Sequence, residues 1–96
     1  MAYKILFSED ALLDLESILD FIRADNPDAA ERFGIALLNH IELLQTFPRL
    51  GVPVPKRPGV RKIFHSPVRV YYWLHEKTQL IEILHFWHFA RKNPFV

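Results

Sequence analysis

Imidazole and guanidinium groups are the side chains of this chain best suited to chemistry, and they crowd its second half. Four of the five histidines (His65, His75, His85 and His88) and nine of the twelve Lys/Arg fall in residues 49–96, against only Glu76 and Glu82. A histidine near neutral pKa is a natural general acid or base for metal-free RNA cleavage. His88 is the best placed, since Arg91 follows three residues later and a basic neighbour there would steady a phosphate. Arg69 and Arg91 each suit bidentate recognition of phosphate or carboxylate. The competing reading of Arg69 is structural: stacking on Tyr71 or Trp73, or pairing with Glu82 across a sheet. His85 and His88 are not expected to form a metal pair, because residues three apart on a strand point to opposite faces. Lys56-Arg57 reads as a solvated turn.

The charge distribution sharpens this picture. Residues 1–48 carry a formal charge of −6 and residues 49–96 a charge of +7, so the net +1 conceals a bipolar chain. The basic half is a candidate surface for an anion, whether nucleic acid or an acidic protein segment. The alternative is neutralisation of one half by the other across the fold.

These groups need a scaffold, and the hydrophobic periodicity supplies one. Residues 2–7 read as an opening strand. Ser8 fits a helix N-cap, with Glu9 and Asp10 in the first turn. Apolar residues at 12, 15, 18, 19 and 22 mark one helical face to about Ala24, with Asp14, Asp20 and Arg23 opposite. Asn26-Pro27 restarts the chain, Asn26 as cap and Pro27 at the first helical position. Ala30, Phe33, Leu37, Ile41 and Leu44 then keep one face apolar. Two helices so closely joined form an antiparallel hairpin, which needs a sheet to cover it. Prolines 48, 53, 55 and 58 stiffen an extended connection. A three-stranded antiparallel meander follows, over 60–65, 68–75 and 80 to about 89. In its middle strand Val68, Val70, Tyr72 and Leu74 face the core, while Arg69, Tyr71, Trp73 and His75 face outward.

The expected fold class is therefore α+β: an N-terminal strand, an antiparallel two-helix hairpin, and a meander forming one sheet packed on the hairpin. Ninety-six residues suit one domain spanning 1–96, with little room for a deep cleft. The absence of cysteine rules out disulfides, thiolate metal sites and a Cys nucleophile, and points to a cytoplasmic protein. No apolar run is long enough to span a bilayer, and the N-terminus turns acidic too early for a signal peptide. No cofactor or metal is expected.

Five segments in this order resemble the RelE/ParE superfamily of toxins from bacterial type II toxin–antitoxin modules. They are SEDALLDLESILDFI, NPDAAERF, LLQTFPRLG, PGVRK-x4-PVRVYY and IEILHFWHFAR. Together they cover almost the whole chain, from Tyr3 to Pro94. The Asn-Pro linker, the FPxLG turn and the final H-x-x-R look closer to the ParE branch. RelE-type members resemble ribosome-dependent mRNA endoribonucleases that use basic sheet residues and a C-terminal tyrosine. By position, Lys62, Arg69 and Arg91 carry over as catalytic candidates beside His88. Phe64 stands where a second basic residue is expected, and the chain ends Pro94-Phe95-Val96 without the tyrosine. These departures favour a ParE-like toxin, not an enzyme, that inhibits DNA gyrase, as in plasmid stabilization modules.

The resemblance also implies a cognate antitoxin as partner, in a homodimer or a toxin–antitoxin hetero-oligomer. Arg61, Arg69, Tyr71, Trp73 and Arg91 are the candidate contacts to antitoxin or target. The alternatives are a RelE-like endoribonuclease acting on ribosome-bound mRNA and a degenerate member that binds its antitoxin but poisons nothing.

Overall fold

The structure is a computed structural model that describes residues 2–89. Strand β1 (Lys4–Phe7) leads into helix α1 (Glu9–Asp25) and helix α2 (Pro27–Glu42), which ends in a single 3-10 turn, Leu43–Gln45. Four strands follow: β2 (Val52–Pro53), β3 (Val60–His65), β4 (Val68–His75) and β5 (Leu80–His88). They make one five-stranded sheet in the order β1-β5-β4-β3-β2, with β1 parallel to β5 and the other pairs antiparallel. The α+β architecture expected from the sequence is therefore present, with one addition. The proline-rich connection contributes its own two-residue edge strand, pairing Val52 with Lys62 and Pro53 with Arg61. Proline is tolerated there because an edge strand needs fewer ladder donors.

The helical hairpin is held at its ends by side-chain caps. Ser8 Oγ accepts from the Ala11 amide and donates to the Leu84 carbonyl, so one hydroxyl starts α1 and ties it to β5. Asn26 ends α1 and begins α2, its side chain accepting from the Ala29 amide at 3.1 Å. A single residue thus serves as the whole connection.

The core lies between hairpin and sheet. Ala30, Leu37, Ile41 and Leu44 bury the predicted face of α2 and its 3-10 turn, and Val68, Val70, Tyr72 and Leu74 the predicted face of β4. Helix α1 is rotated from expectation. Its stripe runs through Ala11, Leu15, Ile18 and Ile22, while Leu12 is 53% exposed. The cause is Asp14, expected on the solvent side, which turns onto β5 instead. Strand β1 ends at Phe7, opposite Ile83, and beyond that point no strand among the described residues pairs with this edge of β5. Asp14 Oδ2 accepts from the Phe86 amide at 3.1 Å and sits 3.0 Å from His85 Nδ1. A carboxylate from a helix thereby does the work of a missing strand.

Candidate functional site

The outer face of the sheet, turned away from the hairpin, gathers aromatic and basic groups in two clusters. In the first, Arg69 lies across from Phe64 on β3 and Trp87 on β5. Directly paired residues of neighbouring strands share a face. The guanidinium carbon sits 4.4 Å from the centroid of Trp87, 5.1 Å from Phe89 and 5.5 Å from Phe64. Three rings around one cation stabilise it through their quadrupoles and fix its plane. Lys62 Nζ is 5.7 Å from the Phe64 ring, placing a second cation on the same patch. Arg69 Nε is buried without a hydrogen-bond acceptor among the described residues.

The second cluster occupies the other end of the same face. Trp73 stacks on His75 with centroids 4.7 Å apart, and His75 Nε2 lies 3.3 Å from Glu82 Oε1. Gly59, at φ 83°, packs so tightly that a Cβ would fall 2.8 Å from Trp73 Nε1, which explains glycine at that turn. A cavity of about 540 Å³ opens beside Trp73, lined also by Asp10, Lys56, Arg57, Glu82 and His85.

Among the residues singled out by sequence, Lys62, Arg69 and Trp73 do share the outer face. Arg61 does not. It pairs with the core residue Tyr72, so it faces the hairpin side, where its guanidinium donates to the Gly51 carbonyl at 2.7 Å. Tyr71 keeps the outward register but is only 1% exposed, not presented on the surface. It lies between Lys62 and His85 where the β4–β5 register shifts, and such irregularities increase the local twist. The structural partners expected for Arg69 are also replaced. Its stack is Trp87 rather than Tyr71 or Trp73, and Glu82 bonds His75 instead of an arginine.

His88 pairs across from the core residue Val68, and its ring packs edge-on against Phe21 of α1 at 6.2 Å. Its expected neighbour Arg91 lies outside the described residues. His85 is engaged with Asp14. Among the described residues no three metal-ligating side chains converge.

One arrangement escaped the sequence reading. His40 of α2 and His65 of β3 meet with their Nδ1 atoms 2.9 Å apart, and Phe33 packs edge-on against His65. A short contact between two ring nitrogens requires one to donate and the other to accept, so at least one ring is neutral. Burial pushes the His65 pKa down, and the neighbouring His40 adds to the effect. The two residues are 25 positions apart, and His40 falls on a helix read only for its apolar face.

Comparison with known proteins agrees with this arrangement. No curated protein matches the chain in sequence. The fold is shared with the chromosomal ParDE toxin–antitoxin system of P. aeruginosa, at TM-score 0.75 and 21% identity over 91% of this chain and 96% of that one. It is shared too with the RelBE2 toxin–antitoxin complex of Mycobacterium tuberculosis, at TM-score 0.66 and 20% identity over 92% and 99%. For the intact E. coli RelBE complex the TM-score is 0.64 at 17% identity, over 96% of this chain and 100% of that one. The profile of the ParE toxin of the type II toxin–antitoxin system parDE matches residues 5–93. With nearly its whole length matched, the chain belongs to the ParE toxin family of type II toxin–antitoxin systems.

Proposed function

We propose that the chain is a growth-inhibiting toxin that targets DNA gyrase rather than messenger RNA, and that a cognate antitoxin neutralises it. The observation that carries the first part is the setting of Arg69. A nuclease acting on a phosphodiester needs several cations converging on one phosphate with an acid and a base in reach. Here Phe64 occupies the position across from Arg69, and three rings enclose its guanidinium. The nearest histidines are committed elsewhere, His85 to Asp14 and His88 to Phe21. Such a face suits binding better than cleavage.

The antitoxin part is supported by the relatives of the same fold, which are toxin–antitoxin assemblies. It is supported also by the apolar residues that the hairpin leaves uncovered, Leu12, Leu13, Phe21 and Ile35 among them. Induction of the chain alone should arrest growth and elicit a DNA-damage response while transcripts stay intact, and co-expression of the neighbouring gene should restore growth. Cleavage of translated messages at defined codon positions would overturn the gyrase reading in favour of an endoribonuclease.

A further inference from the structure

Lys56 and Arg57 of the proline-rich bend, which also line the cavity beside Trp73, reach a second and more basic cavity. Lys56 adopts φ 64° and Gly59 φ 83°, so the chain reverses sharply between the two. That reversal brings Lys56 and Arg57 against Arg49, from the turn after α2, and Arg61 of β3. With Glu76 and an apolar wall that includes Leu74, these four cations line a cavity of about 360 Å³. Two of them are hydrogen-bonded: Arg49 Nη2 donates to Glu76 Oε2 at 2.5 Å, and Arg61 Nη1 donates to the Gly51 carbonyl at 2.7 Å. Each bond uses one N–H of a group that carries five.

Four cations against one carboxylate leave a formal charge of +3 around this space. Its only acid, Glu76, is already bonded to Arg49, which together with Arg61 holds its carboxyl below the usual range. A second carboxylate would be a monoanion competing for Arg49 with one already seated. A phosphomonoester instead brings about two negative charges and three strong acceptor oxygens, enough for several guanidinium forks at once. The cavity is also larger than a bare anion requires and falls within the range of small-ligand sites.

We propose that this cavity binds a terminal phosphomonoester, supplied by a free nucleotide or by the 5′ end of a nucleic acid. The site goes beyond the toxin reading, and Arg49, Arg61 and Glu76 distinguish it from the cavity beside Trp73, with which it shares Lys56 and Arg57. Amide NMR titration of the full chain tests it, with AMP, adenosine, and a short oligonucleotide carrying either a 5′-phosphate or a 5′-hydroxyl. The phosphate-bearing probes should shift the Gly51 and Gly59 amides, and adenosine and the 5′-hydroxyl oligonucleotide should not. Replacing Lys56 and Arg57 together by alanine should weaken AMP about tenfold or more. Both residues are exposed on the loop, so the variant should keep its fold, which its own spectrum reports. Arg23→Ala, remote on α1, should bind as the parent does. Tighter binding of AMP than of the 5′-phosphorylated strand identifies a nucleotide site, and the reverse order identifies a strand end. The proposal fails if no shift appears, if the loop variant binds unchanged, or if a glutamate-rich peptide outcompetes AMP at these amides.

Discussion

The Tyr72 hydroxyl accepts a hydrogen bond from the Gly51 amide at 3.0 Å and donates one to the Pro48 carbonyl at 2.7 Å. Gly51 tolerates no side chain there, because a Cβ would lie 2.8 Å from the Tyr72 hydroxyl and 2.7 Å from the Lys62 carbonyl. One phenol therefore anchors the start of the proline-rich bend, and with it the edge strand β2. Tyr72→Phe should cost about 1–3 kcal/mol in urea denaturation, since the ring still fills its site while a buried amide and carbonyl lose their partner. Burial raises the Tyr72 pKa above 10.0, outweighing the Gly51 hydrogen bond and Arg61, which act in the opposite direction. Its stabilisation is fully present below pH 10 and is lost as pH rises through the raised value. Tyr72→Phe should lose that alkaline component. Alternation along β4 placed Tyr72 in the core from sequence alone. Its tether to Pro48, 24 residues away, carries no local signal. The same holds for Arg69: its basic character was legible, but its rings come from β3, β5 and the residue after it.

The helices and every strand but the two-residue β2 were readable to within a residue or two because capping residues and hydrophobic periods are local. The rotation of α1 was not, because it depends on where β1 stops. Once β1 ends, the open edge of β5 leaves backbone donors that something must satisfy, and Asp14 is the residue within reach. Asp14→Ala removes the acceptor for the Phe86 amide and for His85, and should destabilise by about 1.5–3 kcal/mol. Asp14→Asn keeps an acceptor and should lose less, with hydrogen exchange at Phe86 reporting the difference. The His40–His65 contact joins α2 to β3 and makes that junction pH-sensitive. The His65 pKa is lowered from 6.5, so its contribution is present above pH 6.5 and is lost as pH falls through the folded value. Melting temperature should therefore decline below pH 6.5, and His65→Phe should flatten that decline. An unchanged slope in the variant would mean that other groups carry the acid sensitivity.

Charge and apolar exposure together describe the partner this molecule needs. Residues 1–48 hold −6 and residues 49–96 hold +7. Arg49 pairs with Glu76 within the basic half, and Asp14 with His85 bridges the two halves. Lys56, Arg57 and Lys77 of the basic half are exposed at the surface. The hairpin meanwhile exposes Phe21 to 72%. A segment that folds on contact, acidic on one side and apolar on the other, would satisfy both surfaces. Within such a complex the energetic weight falls on groups that become desolvated. Arg69 is pre-oriented by three rings, and its Nε has no acceptor among the described residues, so a carboxylate that reaches its guanidinium gains a fixed partner for charge-assisted bonds. Arg69→Ala should weaken antitoxin binding by about 2 kcal/mol or more. Lys77, exposed in the β4–β5 turn, should cost well under about 1 kcal/mol when replaced, as solvent-screened pairs do. Phe21→Ala should cost about 1–2 kcal/mol of binding through lost apolar contact, with a smaller loss of stability in the free chain, where the 72% exposed ring keeps its edge-on contact with His88. Calorimetric titration of the three variants against the cognate antitoxin, beside melting curves of each, separates the terms. A large loss at Phe21 with small, equal losses at Arg69 and Lys77 would assign the affinity to apolar burial, and the basic half would then belong to the target rather than to the antitoxin.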